Sequence, residues 1–200
     1  MHPFQPSQLG GPCVIFPAIQ RGLTPFSSWY AAGSICIYSY STFVAVADKM
    51  YAIPFSTKVA CNVEGIAIRV TVASGAGTRC RLGIYKCGGV GAPYPTTLLQ
   101  DFGSVLTDST GVKSITGLTC AIQAYTLYHA IALFESTPTF RAPHTEDFWG
   151  AWGCNNTGTG SGRAYITADQ AYGALPANYS VVNPACVGGT YQPGVFLRFT

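Results

Sequence analysis

The chain has 200 residues, only 10% of them charged, and a formal net charge of +3, whereas an average soluble domain is about 25% charged. So small a positive excess, with no cluster of lysines or arginines, argues against a nucleic-acid surface. No apolar run reaches the roughly 18 residues of a membrane helix, and Met1-His2-Pro3-Phe4-Gln5-Pro6 carries no basic region or apolar core, so neither membrane insertion nor a signal peptide is expected.

What the composition favours is strands and turns. Gly (23), Pro (13), Tyr (12) and Phe (11) are all plentiful. The length fits one domain, or one domain with an attached arm. Residues 1–26 contain Pro3, Pro6, Pro12, Pro17 and Pro25, which rule out a helix and disfavour a central strand. The same span keeps Phe4, Val14, Ile15, Phe16, Ile19, Leu23 and Phe26, which a disordered tail lacks. It reads as an extended arm that packs on its own domain or on a neighbouring subunit; an ordinary leading strand is the alternative. Phe4, Val14, Ile15, Phe16, Ile19 and Phe26 are its candidate partner contacts.

Residues 27–200 read as a single β-sandwich domain, with a core over 50–141, a loop-rich part over 142–190 and a final strand over 194–199. Ile35, Ile37 and Ser39 alternate with Cys36, Tyr38 and Tyr40, which predicts a strand with one aromatic face. Thr42 to Ala47 fits a short strand or a helical turn. Met50 to Phe55 is a strand whose Pro54 marks an edge or an end. The clearest strand runs from Cys61 to Val72, with Ile66, Ile68, Val70 and Val72 on one face and Ala67, Arg69 and Thr71 on the other. After the turn at 73–77, Cys80, Leu82 and Ile84 point inward, while Arg79, Arg81 and Tyr85 point outward, the arginines on a solvated face.

Two more strands are predicted over 98–105 and 111–118. Over 125–134 apolar residues occupy both faces, Leu127, Ile131 and Leu133 beside His129 on one and Tyr128, Ala130, Ala132 and Phe134 on the other. That pattern predicts a central strand covered on both sides, or one facing a subunit contact. Residues 137–141 begin another turn and strand. Beyond them glycine and small polar residues dominate, with a strand at 165–167, a turn at 171–176, and a last strand whose Val195, Leu197 and Phe199 share a face. About nine to eleven strands spaced roughly ten residues apart predict an antiparallel β-sandwich, jelly-roll-like, with no long helix.

The residues offer little chemistry. Eight cysteines are present and none forms Cys-x-x-Cys, so buried reduced thiols are expected and zinc is not. Cys80 and Cys87 are the best disulfide candidates, on the premise that a hairpin over 81–86 sets them face to face. His129, on an apolar strand face, reads as a core histidine. His144, Glu146 and Asp147 could be drawn as a metal or acid–base site, but polar residues in a polar turn more commonly form a solvated loop. Among eight carboxylates, Glu135, Glu146 and Asp147 are the only set that could serve as a glycosidase pair, and nothing spaces them for it. No nucleophile elbow or phosphate cradle is present. No catalytic, metal or cofactor residue is therefore assigned, and no cofactor is expected. Trp149, Trp152, Tyr165 and Tyr172 lie on or beside a Gly/Asn-rich stretch and are the candidate glycan or partner contacts, since stacking on sugar needs flat apolar faces beside amide and hydroxyl donors. The plainer reading has both tryptophans capping the core.

One resemblance narrows the role. Tyr51-Ala52-Ile53-Pro54-Phe55, then Arg81-Leu82-Gly83-Ile84-Tyr85, Thr110-Gly111-Val112-Lys113, Leu127-Tyr128-His129-Ala130-Ile131-Ala132 and Pro138-Thr139-Phe140-Arg141 together resemble a β-sandwich module of tailed-bacteriophage virion proteins. The likeness covers residues 50–141, with an echo in 171–176 and the last strand. It departs from the module in its cysteine content and at Cys87-Gly88-Gly89. It implies a non-enzymatic structural protein on the virion exterior, assembled in the host cytoplasm as a homotrimer or similar oligomer. A head-decoration (cement) protein would bind the major capsid protein through the arm. A tail-fibre or spike module would bind a host surface glycan through the 142–190 loops. The short chain, an arm plus one domain with no shaft or coiled coil, leans to decoration, while the resemblance itself leans back toward fibres. A carbohydrate-active enzyme or lectin-like domain is the reading from another class.

Overall fold

A computed structural model describes residues 18–19, 29–32, 40–88, 94–143, 163–179, 185–188 and 191–200. These form thirteen strands: β1 (Ala18–Ile19), β2 (Tyr30–Ala31), β3 (Tyr40–Val44), β4 (Lys49–Thr57), β5 (Cys61–Val72), β6 (Arg79–Cys87), β7 (Pro95–Leu106), β8 (Gly111–Ile122), β9 (Tyr128–Phe134), β10 (Thr139–Pro143), β11 (Arg163–Asp169), β12 (Ala185–Gly188) and β13 (Phe196–Phe199). The chain is all-β. One sheet runs β12-β11-β4-β9-β6-β7, with β1 added parallel to β4; the other runs β2-β13-β5-β10-β3, with β8 on the far side of β5. Every pairing except β1–β4 is antiparallel. The two sheets pack face to face as a β-sandwich.

Alternation explains the core between them. Val63, Ile66, Ile68 and Val70 of β5 meet Cys80, Leu82 and Ile84 of β6, Ala130, Ala132 and Phe134 of β9, and Leu197 and Phe199 of β13. Aromatic rings bridge the sheets. Phe43 of β3 sits edge-on to Tyr51 of β4 at 5.4 Å and to Tyr165 of β11 at 5.9 Å, while Phe134 of β9 stacks on Phe140 of β10 at 4.9 Å. Such pairs add about 0.5–1.5 kcal/mol each beyond the area they bury. Pro54 lies in a stretch of β4 with only β9 registered beside it, after β11 leaves at Ala52 and before β1 joins at Ser56. The ladder thus tolerates its missing N–H.

A cluster of hydroxyls locks one end of the sandwich. Ser74 and Thr78, in the turn from β5 to β6, meet Thr107, in the turn from β7 to β8. The oxygens lie 2.5 Å (Ser74–Thr78), 2.9 Å (Ser74–Thr107) and 3.1 Å (Thr78–Thr107) apart. Backbone bonds run alongside, Ser74 N to Thr107 O at 3.0 Å and Thr107 N to Thr78 O at 2.8 Å. Thr107 is fully buried. Thr107→Val keeps the shape but leaves two hydroxyls short of a partner, so it should cost about 1–2 kcal/mol, read as a lower urea midpoint with an unchanged slope.

The structure corrects three expectations. Cys80 and Cys87 lie on one strand, β6, and seven residues of strand span roughly 23 Å, far beyond disulfide reach. Cys61, Cys80 and Cys120 are free thiols, and burial raises the Cys80 and Cys120 thiols, the latter to about 11. Tyr85, expected to face water, is completely buried. Arg81 is not simply solvated: its Nε donates to both Asp101 oxygens, at 3.0 and 2.8 Å.

The reason for the last two is a second apolar layer. All 7 residues of β9 are buried, because both faces of its sheet are covered. The outer face gathers Met50, Ala52, Tyr85, Ile131, Leu133, Ile166 and Ala168 beneath Leu175 and Tyr179. Residues 170–179 therefore form a strap across that sheet.

Candidate interaction surfaces

The strap is built from backbone bonds that only a folded sheet can offer. It starts where Gln170 N donates to Asp48 O at 2.9 Å and Tyr172 N donates to the Asp48 carboxylate at 2.8 Å. Asp48 holds a positive φ of 56° in the β3–β4 turn, a conformation Asp tolerates better than most side chains. Further along, Leu175 N donates to Asp101 Oδ2 at 3.0 Å, and the Tyr85 hydroxyl donates to Pro176 O at 2.5 Å. The strap ends against the edge of β7, with Leu98 N to Ala177 O at 2.8 Å and Tyr179 N to Thr96 O at 2.7 Å. Gly83 lies under Leu175 with no room for a Cβ. This face of the sandwich is sealed by the chain itself.

The outer face of the other sheet differs. The Arg198 guanidinium lies 5.4 Å over the Trp29 ring and bonds Glu64 at 3.1 Å. The indole sits against Gly65, where a Cβ would come within 2.9 Å of it. Nearby, the Arg141 guanidinium covers the Tyr40 ring at 4.6 Å, and Tyr40 leans on Phe196 at 6.5 Å. Tyr40, Val44 and Val112 are exposed on this face, at 45%, 61% and 62%. Among the described residues, three rings, two stacked arginines and exposed valines thus share one open sheet surface.

The residues singled out from sequence fall out as follows. Trp149 and Trp152 lie outside the described residues, as do Phe4, Val14, Ile15, Phe16 and Phe26 of the arm, and His2, His144, Glu146 and Asp147. Ile19 stands in β1, paired parallel to Thr57 of the same chain. Tyr165 is a core residue: 5% exposed, with its ring against Phe43 and Tyr51, so no sugar can stack on it. Burial, then the neighbouring Tyr51, pushes its hydroxyl up to about 12. Tyr172 is half-buried in the strap, its hydroxyl bonded to Ser104 at 2.8 Å and its pKa raised chiefly by burial. The four candidate aromatics therefore do not share one described site. His129 is fully buried between Pro54 and Tyr85 in the register of β4, β9 and β6, and desolvation lowers its pKa to about 3. Glu135 is exposed, and among the described residues no three His, Cys, Asp or Glu side chains gather in a metal-binding group.

Sequence reading missed the Trp29, Tyr40 and Phe196 surface. Its parts lie just before β2 and on β3 and β13, and only the alternation of outward residues hints at it. No protein-family model matches the chain, and no curated protein matches it either.

Proposed function

We propose that this chain is a non-enzymatic structural protein of the exterior of a tailed-bacteriophage virion, a decoration protein that binds and stabilises the head shell as a homotrimer. The observation that carries this reading is where the resembling stretch falls. Residues 50–141 supply most of β4 to β10, among them the interior strands β4, β9, β6, β5 and β10, so the likeness lies in the scaffold. The low overall charge and the exposed Tyr40, Val44 and Val112 on one sheet face suit packing against another protein surface. A tail-fibre module is the second reading, favoured by the ring-and-arginine stacks, which also suit sugar binding.

Cryo-electron microscopy of intact particles separates the two. Decoration predicts density for this sandwich repeated across the head lattice. Density confined to the tail overturns decoration in favour of the fibre. Hydrolysis of a glycan by the isolated protein overturns both.

A further inference from the structure

On β5, Ile66, Ile68 and Val70 face the core, which turns Arg69 outward. On β10, Phe140 faces the core, which turns Arg141 outward. The β10–β5 ladder ends at Phe140↔Val70; toward Arg69 the same edge of β5 is taken by β13, and Gly194, just before it, packs against the Arg141 carbonyl, so Arg69 and Arg141 share the outer face with that segment between their strands. Among the described residues neither arginine has a carboxylate within ion-pair distance, and the acid on the strands of this sheet, Glu64, is engaged by Arg198.

Arg141 is also pre-oriented. Lying over Tyr40 at 4.6 Å uses the flat face of the guanidinium and leaves its N–H edge for a bidentate acceptor. Around the pair, Val112 sits opposite Arg69 and Val44 opposite Thr139, both largely exposed. Arginine, tyrosine and phenylalanine among valines is the make-up of a protein-interface hot spot. The surface is an open sheet face, whereas sites for small ligands are concave.

From this we infer that the outer face of β3, β10, β5 and β8 docks an acidic protein segment, with Arg69 and Arg141 receiving its carboxylates and Tyr40, Val44 and Val112 its apolar side chains. The inference rests on the fold and not on a virion location.

A random peptide library, selected on the immobilised full chain, tests it. The selected peptides should be enriched in Asp and Glu interleaved with apolar residues. Their binding should weaken about tenfold with Arg141→Gln or Arg69→Gln and further with both. Arg141→Lys, which keeps the charge without the planar fork, should fall between. Arg79→Gln, on the other sheet, should change nothing. These arginines are not core residues, so the variants should fold, and an unchanged urea midpoint checks this. The inference fails if the peptides show no acidic enrichment, if the double variant binds them as well as the parent chain, or if none is retained. Dextran sulfate displacing the peptides from the same arginines at equal strength would point to an acidic glycan and also overturn it.

Discussion

Asp101→Ala should lower the stability of the domain by about 3 kcal/mol and release the strap. The Asp101 carboxylate accepts from Arg81 Nε at 3.0 and 2.8 Å, from Gly103 N at 2.9 Å and from Leu175 N at 3.0 Å. One side chain thus holds a β6–β7 ion pair, the backbone of β7 and the middle of the strap. Removing it leaves the Arg81 charge half-buried without a partner and the Leu175 amide without an acceptor, while Leu175 and Tyr179 lose their anchor over Tyr85 and Leu133. Asp101→Asn keeps the size but gives up the charge, and should cost less. Urea unfolding gives the magnitude, and hydrogen exchange gives the place: the Leu175 and Tyr179 amides should exchange much faster, while those of β9 stay slow. Unchanged exchange at Leu175 would show that the strap is held by something other than this carboxylate.

The second large effect is acid sensitivity through His129. In the unfolded chain a histidine takes up a proton near pH 6.5; in the fold, desolvation delays this to about pH 3. Between those values the unfolded state binds more protons, so stability falls as the pH falls. The contribution is complete above pH 6.5, about 2 kcal/mol is lost by pH 5, and the loss deepens toward pH 3. The neighbours in register do not oppose this, since Pro54 carries no charge and burial raises the Tyr85 hydroxyl far out of range. Carboxylates add their own acid dependence below about pH 5, so the informative quantity is a difference. The stability of a His129→Gln variant should depend less on pH between 6.5 and 4 than that of the parent chain, whatever its absolute stability. Parallel curves for the two proteins would remove His129 as the cause.

Period-2 alternation was enough to find most of the scaffold. It places β5 at its observed bounds, Cys61–Val72, and turns Cys80, Leu82 and Ile84 inward. The doubly apolar pattern over 125–134 announces a strand covered on both sides, and β9 is one. What alternation cannot show is the identity of the cover. Tyr85 reads as outward because it is outward; it is buried by Leu175, Pro176 and Tyr179, about ninety residues away and in a segment with no periodicity of its own. The signal available was indirect: a strand with two apolar faces needs a second layer, and Tyr172, Leu175 and Tyr179 are apolar residues in an otherwise turn-like run. Tyr165 misled for the opposite reason. Its flanking glycines and asparagines suggest an exposed tip, while its own strand, β11, lies against β4 and turns the ring into the core. The Cys80–Cys87 pairing failed because β6 runs straight through the residues expected to form a hairpin.

The central claim is an asymmetry: one sheet face is sealed by the strap, while among the described residues the other stays open, the face that the proposed virion role would use. Tyrosine nitration read by mass spectrometry tests both halves. In the free protein Tyr40 and Tyr125, at 45% and 78% exposure, should be nitrated, while the buried Tyr85 and Tyr179 are spared. On intact virions Tyr40 should become protected. Nitration of Tyr85 in the native free protein, or a Tyr40 equally reactive in the free protein and on the virion, would contradict the account.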